Sequence, residues 1–443
     1  MVAANLLRLA RGPLHVTLFD RQPAFGEGPA YRTADPRHLL NVPASNMSAW
    51  PDRPAHFLEW ARARDPSVTA STFVPRRTYG EYVRAAFFEA AAGAGEHASV
   101  ELLRREVLRA DRAGTSFWLH DDRGEVTRAD VLVVTTGHRP PSDPLRGRWS
   151  GSRARYVEDP WSSLALSAIA QDEPVLLLGT GLTAIDVLLT LTRDPRTAPI
   201  TAVSRRGLVP AAHVLPMPPR VDPRWIEPLL EAGPTARGLI SSLRRTVRAI
   251  EREGGDWRSV VDGLRAITPR VWASLGETEA RRWLRHVRPF WEVHRHRAAP
   301  EVARSFEAMR ARGELRVIAG RARAASGDVD GVWVELEARG GARREERFAW
   351  VVNCTGPGAG VPPFVESLAQ NGLVRLDPLG LGLVTDDAGR AVTERGARDD
   401  LLVVGTLRKP ALWESTAVPE LRVQAAQVAR AALWALGDPA SFD

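Results

Sequence analysis

The chain has 443 residues, of which 44% are hydrophobic and 26% charged, so it can bury large cores and is not a disordered or fibrous polymer. Its formal net charge of +7 comes from 60 basic residues, all arginine except Lys409, against 53 acidic residues. The two signs are interleaved from end to end, which is typical of a solvated surface rather than of a phosphate-binding stripe. We therefore expect no nucleic-acid partner.

Cysteine content and hydropathy exclude further classes. The single cysteine, Cys354, rules out an intramolecular disulfide and a redox-active cysteine pair, and its apolar surroundings predict a buried side chain rather than a nucleophile. The most apolar stretch, 174–192, is interrupted by Gly179, Gly181 and Asp186, which predicts a buried strand and helix rather than a membrane span. We expect a cytoplasmic protein without a membrane partner.

The chain begins with a predicted helix and strand. Residues 1–11 have one broad apolar face, and the strand 14–19 ends in Asp20. An acid after the second strand of a Rossmann βαβ unit binds ribose, so this pair predicts half of such a unit. Its first strand and glycine-rich turn would precede Met1. The alternative is an amphipathic helix and strand with no nucleotide role.

Hydrophobic periodicity predicts the remaining elements, which fall on both sides of a linker rich in Pro, Ser and Gly at 140–152. Before the linker we expect helices at 56–64 and 79–92 and strands at 100–108, 116–120 and 130–135. After it we expect a strand at 174–178, a helix at 183–191, a strand at 200–204, a helical segment over 221–311, strands at 315–319, 332–337, 348–354 and 401–404, and a helix at 419–436.

The strongest local motif follows the strand at 174–178, where the sequence from Gly179 to Ala184 fits G-x-G-x-x-A. The glycines allow a tight turn and close approach of backbone to pyrophosphate, and the following helix N-terminus favours anionic phosphate. The predicted cofactor-binding residues are Gly179, Thr180, Gly181, Leu182, Thr183 and Ala184. An ordinary buried strand-to-helix turn is the alternative.

The next strand ends at Ser204, Arg205 and Arg206. An acid at this point would bind the ribose hydroxyls of NADH, whereas arginines suit a 2′-phosphate through charge-assisted contacts. These three residues therefore predict NADPH binding. Two solvated arginines in an arginine-rich chain are the alternative.

Two apolar strands, at 131–137 and 350–356, both end in Thr-Gly and are followed by prolines. Two crossovers of the same kind predict two nucleotide-binding units.

Together with these strand ends, four further segments resemble the FAD/NAD(P)-binding protein family, flavoproteins with two dinucleotide-binding domains related in plan to lysine/ornithine N-monooxygenases. The segments are Gly26-Glu-Gly-Pro-Ala-Tyr31, His38-Leu-Leu-Asn-Val-Pro-Ala44 with Met47-Ser48, 285–297, and 413–425. The resemblance covers nearly the whole chain but implies no particular substrate.

The resemblance implies an α/β fold, in which a three-layer FAD-type Rossmann domain carries an inserted NADPH-binding Rossmann domain. The FAD-binding domain would comprise 1–145 and 345–443, and the NADPH-binding domain 153–344 with the helical segment 221–311. The implied FAD-binding residues are Asp20, Arg21, Asn41, Met47, Ser48, Thr136, Gly137, Thr355, Gly356, Trp413, Ser415 and Thr416. The helix N-terminus after Thr416 would point at the isoalloxazine ring.

No catalytic residue is fixed by the sequence, and His294, His296 and Thr416 are the candidates. The two histidines would share a face on a strand but not on a helix. Without a carboxylate or cysteine at ligand spacing they predict no metal site; a polar cluster near the cofactors and a structural role both stay open. The tryptophans of 221–311 are expected to anchor helix packing rather than to line a pocket.

These patterns predict an NADPH-dependent flavoprotein oxidoreductase, monooxygenase-like, in which hydride passes from NADPH to FAD and then to oxygen or a small organic acceptor. The partner would be a small-molecule substrate. The competing hypothesis is a non-enzymatic NADPH-binding or sensor protein.

Overall fold

The computed structural model describes residues 1–22, 25–161, 163–219, 221–230 and 233–438. Residues 231–232 of the predicted helical segment and 23–24 of the loop after Asp20 lie outside this description. None of the described helices is long and apolar enough to cross a membrane.

Helices and strands alternate through most of the described chain. The helices are α1 (Val2–Leu9), α2 (Gly28–Tyr31), α3 (His56–Arg62), α4 (Arg76–Ala92), α5 (Ser163–Ser167), α6 (Leu182–Leu191), α7 (Glu227–Leu230), α8 (Ala236–Arg252), α9 (Trp257–Gly263), α10 (Thr268–Ser274), α11 (Glu277–Arg282), α12 (Arg288–Arg295), α13 (Pro300–Ala311), α14 (Pro363–Gln370), α15 (Lys409–Leu412) and α16 (Val418–Ala435). A π turn, Trp283–Val287, joins α11 to α12, and short 3-10 turns occur at Ala44–Asn46, Pro223–Trp225, Leu264–Ala266 and Gly405–Arg408.

The strands form four sheets. They are β1 (Leu14–Phe19), β2 (Ala98–Leu103), β3 (Val107–Ala113), β4 (Ser116–Asp121), β5 (Val126–Ala129), β6 (Leu132–Val134), β7 (Trp149–Gly151), β8 (Tyr156–Val157), β9 (Val175–Leu178), β10 (Ile200–Ser204), β11 (Leu315–Gly327), β12 (Val332–Ala338), β13 (Arg343–Phe348), β14 (Trp350–Asn353), β15 (Arg390–Thr393) and β16 (Gly396–Val403).

The largest sheet has the order β13-β12-β11-β10-β9-β14-β8, with β7 paired to β11. The strands from β11 to β8 run parallel, and β12 and β13 extend the sheet as an antiparallel meander. All four residues of β9 are buried, because parallel strands are covered on both faces. Val175 and Leu177 face one apolar core, and Leu176 and Leu178 face the other.

The chain termini build a second layered unit. The parallel pairs β1–β2 and β6–β16 both pack against α1 and α16 through Leu14, Val16, Val131 and Val133. Among the described strands, β1 pairs only with β2, and β6 only with β16. The antiparallel sheet β3-β4-β5 covers the other side with α14, through a core that includes Phe117. This arrangement confirms the predicted α/β class.

The helical segment has a core of its own, in which Trp272, Trp283 and Trp291 are buried with Trp413 from the C-terminal part. The apolar cavity among these rings measures only about 40 Å³, far below the size of a substrate pocket. The prediction that these tryptophans serve packing is confirmed.

Several element boundaries differ from prediction. The strand expected at 100–108 is two strands, β2 and β3, because residues 104–106 leave the sheet with β1 to join the sheet with β4. The strand expected at 348–354 is likewise divided between β13 and β14, β5 was not predicted, and β7 lies in the predicted linker.

The boundary at residue 344 between the NADPH-binding domain and the C-terminal part of the FAD-binding domain remains a prediction. The pairing of one strand is relevant to its position. Strand β14 pairs in parallel with β9 and β8 of the large sheet. This pairing favours a boundary after Asn353, where the chain leaves that sheet.

Candidate functional site

The turn between β9 and α6 has the backbone geometry that the glycine motif predicts. Gly179 has a φ of +132°, and a Cβ at this position would collide with the carbonyl oxygen of Cys354, the residue that follows β14. Glycine is therefore required here by the neighbouring strand. Cys354 itself is buried, and burial raises the pKa of its thiol, as expected for a packing residue.

Gly181 faces the opposite situation, because a Cβ there would meet no atom within 4 Å. This residue is exposed and is the N-cap of α6, and a helix N-terminus is a place where an anionic phosphate can bind. The Thr180 side chain instead donates to Ser204 Oγ at 2.8 Å and so fixes the turn against the end of β10. Ala184 is buried in the core, whereas Leu182 and Thr183 are half-buried.

Arg205 and Arg206 open onto a cavity of about 600 Å³, here called the arginine cavity. Arg206 also donates to the Arg285 carbonyl at 3.4 Å, and its guanidinium lies 5.1 Å from the centre of the Phe290 ring. The full lining is Arg205, Arg206, Arg285, His286, Gly320, Arg321, Arg323, Glu337, Ala338 and Arg339. Such a lining suits a phosphate monoester.

The two Thr-Gly strand ends lie side by side. Gly358 N donates to the Pro140 carbonyl at 3.2 Å, and Asn353 Nδ2 donates to the Ser142 carbonyl at 3.2 Å. Thr355 donates to Asn353 Oδ1 at 2.7 Å. The loops that leave β6 and β14 are thus tied to each other, and these two loops connect the terminal unit with the large sheet.

The exposed crossover residues Thr136 and Gly137 also contact the C-terminal part. Gly137 has a φ of +69°, and its carbonyl accepts a hydrogen bond from Thr406 Oγ1 at 2.8 Å. Gly356 has a similar φ of +80°. Both glycines turn the chain sharply at the junction of the two units.

Asp20 directly follows β1 and is half-buried. Its Oδ1 accepts from the Gln22 N–H at 2.9 Å, and its other oxygen forms no hydrogen bond with the described residues. That oxygen would be free to accept from a ribose hydroxyl. Arg21 points to Glu106, 3.6 Å away at the surface.

The loop residues predicted to line the flavin have different environments. Asn41 is half-buried, and its carbonyl faces His213 Nε2 at 3.0 Å. Met47 and Ser48 are buried in the terminal unit, where Ser48 donates to the Arg53 carbonyl at 2.6 Å. The Ser48 hydroxyl thus holds its own loop together.

The segment Trp413–Thr416 joins the tryptophan core to the start of α16. Trp413 has a φ of +57° and stacks on Trp272 with 4.5 Å between ring centres. Ser415 is fully buried, and its hydroxyl has no hydrogen-bond partner among the described residues. Thr416 is exposed two residues before α16. A buried hydroxyl without a partner, one residue before the exposed Thr416 and close to a helix N-terminus, fits a polar ligand at this place.

The two candidate histidines lie at the end of α12 and do not share a face. His294 is exposed against the edge of the Trp257 ring, whereas His296 lies among charged groups that include Glu414. Burial lowers the pKa of His296, and Glu414 opposes this shift. The helix therefore separates the side chains that a strand would have brought together. Among the residues described, no group of three or more His, Cys, Asp or Glu side chains is arranged to hold a metal ion.

Comparison with known proteins now identifies part of the chain. Residues 1–139 match the FAD-NAD(P)-binding family. We call residues 1–139 the FAD-NAD(P)-binding region, after the family that they match. The family predicted from the sequence is confirmed, and with it FAD and a nicotinamide dinucleotide as the cofactors. A comparison with curated proteins finds no sequence match.

Solved structures of low sequence identity share the fold beyond the FAD-NAD(P)-binding region. The ornithine hydroxylase from Pseudomonas aeruginosa is 16% identical, with a TM-score of 0.59 over 95% of this chain and 92% of that chain. The ornithine N-hydroxylase of Kutzneria sp. 744 is 14% identical, with a TM-score of 0.63 over 96% and 94%. The L-lysine 6-monooxygenase from Pseudomonas syringae is 15% identical, with a TM-score of 0.60 over 96% and 100%.

Sequence reasoning missed several residues that the fold brings to these sites. Lys409 is half-buried, and its Nζ lies 4.7 Å from the centre of the Trp413 ring. It is close to His138 of the FAD-NAD(P)-binding region, and burial and the nearby Arg288 lower the pKa of Lys409. The sequence singles out this residue in one respect, because it is the single lysine among 60 basic residues. Arg321 and Arg339 had no such signal, because only the pairing of β11 with β12 brings them to the arginine cavity.

Proposed function

We propose that the protein is an NADPH-dependent flavoprotein oxidoreductase of the monooxygenase-like type. The observation that carries the proposal is the free space at Gly181 on the N-terminus of α6, within the same unit as the arginine cavity. An open helix terminus suits a pyrophosphate, and a group of arginines suits a further phosphate, so the two features match the two anionic parts of NADPH.

The proposed roles in the NADPH unit follow from these contacts. The α6 N–H groups at Gly181 would bind the pyrophosphate, and Thr180 would hold the turn against β10. Arg205 and Arg206 would bind the 2′-phosphate, with Arg285 beside them. NADH lacks this phosphate, which gives the preference for NADPH.

The proposed roles in the FAD unit rest on the terminal residues. Asp20 would accept from a ribose hydroxyl, and the Thr136-Gly137 turn would approach the cofactor with its backbone. Ser415 would donate its unpartnered hydroxyl, and the N-terminus of α16 after Thr416 would stabilise negative charge. When bound, FAD accepts hydride from NADPH and delivers electrons to oxygen or an organic acceptor.

The structural similarity to three N-hydroxylating monooxygenases supports the monooxygenase-like type, since these enzymes share the fold over more than nine-tenths of the chain. We propose a small molecule as substrate. His296 and Lys409 would be titratable groups close to the C-terminal segment, because both interact electrostatically with Glu414.

The first experiment tests the oxidoreductase against a non-enzymatic NADPH-binding protein. The purified chain is incubated with FAD and gel-filtered, and its absorbance near the flavin maximum is followed after NADPH is added under nitrogen. We expect a yellow protein that NADPH bleaches and that air recolours. A chain that binds NADPH but takes up no FAD would support the sensor instead.

The second experiment tests the 2′-phosphate assignment. The double variant Arg205→Ala/Arg206→Ala removes two guanidinium groups from the arginine cavity, so NADPH binding should weaken by about 1–3 kcal/mol. NADH binding should not change, and Arg304→Ala/Arg430→Ala, two exposed arginines outside the cavity, provides the matched control. Equal losses for NADPH and NADH would refute the assignment.

A further inference from the structure

A second basic cavity adjoins the arginine cavity. It measures about 750 Å³ and shares His286 with its neighbour. We call it the α8 cavity, after the helix that forms one wall. Its lining is Thr235, Ala236, Arg237, Ile240, Ser241, Arg244, Arg245, Arg248, Glu279, Arg282, His286 and Val287.

The acidic residues of the two linings are already neutralised. Glu337 forms a bidentate pair with Arg323, at 3.0 and 2.6 Å. Glu279 pairs with Arg282 at 2.5 Å and accepts from the Ala236 N–H at 2.9 Å. Neither carboxylate is left to balance the other arginines.

Nine lining arginines form no ion pair with any described residue. They are Arg205, Arg206, Arg285, Arg321 and Arg339 in the arginine cavity, and Arg237, Arg244, Arg245 and Arg248 in the α8 cavity. Elsewhere many arginines of this chain are paired, for example Arg343 with Glu335. Arginines without an ion pair among the described residues also occur elsewhere, but nine of the eleven arginines that line the two cavities are of this kind.

Three of the four arginines that α8 contributes lie in one row along the helix, and the fourth, Arg245, directly follows Arg244. Arg237, Ser241, Arg244 and Arg248 follow the i, i+4, i+7, i+11 spacing of one helix face, and the row is about 16 Å long at 1.5 Å per residue. Like charges at this spacing destabilise a helix. The opposite face of α8, which includes Leu239 and Ile250, is held by the tryptophan core, so the helix forms despite the repulsion.

The proposed NADPH site leaves this row unused. Its pyrophosphate belongs at Gly181 and its 2′-phosphate at Arg205 and Arg206, and neither position lies in the α8 cavity. We infer that the α8 cavity is a binding site for a second small polyanion, a molecule that carries two or more phosphate groups. Its volume lies within the range of small-molecule pockets. The row of arginines would bind the phosphates, and Ser241 would donate a hydrogen bond.

The test uses inorganic tripolyphosphate as the probe. It is titrated calorimetrically into the full chain, once with saturating NADP⁺ and once without, so that the result stands whether or not the proposed NADPH site is correct. With saturating NADP⁺ we expect one molecule bound per chain, and without it the arginine cavity is free to bind a further molecule. The variant Arg244→Gln/Arg245→Gln/Arg248→Gln should bind it at least tenfold more weakly.

A matched control separates the cavity from net charge. Arg304→Gln/Arg395→Gln/Arg430→Gln removes the same charge from exposed arginines outside both cavities and outside α8, and should bind as the unchanged chain does. Circular dichroism checks folding, and Arg244→Gln/Arg248→Gln replaces the triple variant if that protein unfolds.

Three results would overturn the inference. These are equal weakening in both triple variants, binding that NADP⁺ abolishes, and a 12-nucleotide single strand that binds more tightly than tripolyphosphate through the same arginines. The last result would assign the row to nucleic acid. NADPH affinity should be the same in the α8 variant and the unchanged chain, so a failure of this inference differs from a failure of the Arg205 and Arg206 assignment.

Discussion

At the scale of single residues, His213 shows how burial sets a protonation state. It is 7% exposed, with Nε2 3.0 Å from the Asn41 carbonyl and Nδ1 without a partner among the described residues. Burial and the nearby Arg297 lower the pKa of His213 from 6.5 to about 4, although Asp262 opposes the shift. The imidazole is therefore neutral in the folded protein at neutral pH, with its proton on Nε2.

This histidine should make the fold sensitive to acid. Between pH 6.5 and about 4 the unfolded chain binds a proton that the folded chain excludes, so stability falls as the pH falls through this window. The resulting loss in the free energy of unfolding approaches about 3 kcal/mol near pH 4. His213→Gln, which keeps a donor towards Asn41, should flatten this part of the stability curve in urea titrations at several pH values. An unchanged slope in the variant would show that other groups cause the loss.

At the scale of elements, a buried ion pair joins α4 of the terminal unit to α6 of the large sheet. Arg76 donates to both oxygens of Asp186 at 2.7 and 2.9 Å. Asp186 is only 5% exposed, and burial raises its pKa while Arg76 opposes the rise. His38 lies beside the pair, with Nε2 2.9 Å from the Asp186 carbonyl. Asp186, the charged residue within the apolar sequence of α6, is therefore neutralised by Arg76 from the terminal unit.

Removing one partner of this ion pair should lower the free energy of unfolding far more than replacing both partners by apolar residues. Arg76→Met leaves the Asp186 carboxylate buried without its partner and should lower the free energy of unfolding by about 3–5 kcal/mol. Arg76→Met/Asp186→Leu removes both charges and should recover most of that loss. Urea unfolding of the single and double variants measures the difference. A double variant as unstable as the single one would mean that packing, not charge, decides the effect.

At the scale of the whole molecule, the helical segment is fastened to the C-terminal part of the chain. Trp272 Nε1 donates to the Pro410 carbonyl at 2.7 Å, and Trp291 Nε1 donates to Glu414 at 3.0 Å. Arg265 forms a bidentate pair with Glu420 at the start of α16. The tryptophan core is consequently shared between distant parts of the sequence.

This sharing predicts unfolding in one step. Tryptophan fluorescence reports on 14 side chains, of which five lie in the helical segment, whereas far-ultraviolet circular dichroism reports on the backbone of the whole chain. The two thermal transitions should coincide. Trp413→Ala should shift both to lower temperature together, because the ring contacts Trp272 and Trp283. Two separated transitions in the unchanged chain would contradict a single cooperative unit.

The sequence predicts most of this fold where local pattern and tertiary environment agree. The strands 14–19 and 200–204 have the predicted bounds, and the glycine turn at Gly179 leads into the expected helix. The division at 104–106 could not be predicted, because periodicity does not specify which sheet a strand joins. Only part of the arginine cavity could be predicted. Arg205 directly follows the strand of the glycine-motif unit, whereas Arg339 follows β12, more than a hundred residues later in the chain.

The tied loops after β6 and β14 have a mechanical consequence. Hydrogen bonds from Gly358 and Asn353 to the residues after Gly137 make these two connections a single seam between the units. The buried pair of Arg76 with Asp186 is a second fastening between the same units, through α4 and α6. A displacement of one unit against the other would therefore have to break contacts at two places, which keeps the residues beside the seam at a fixed spacing.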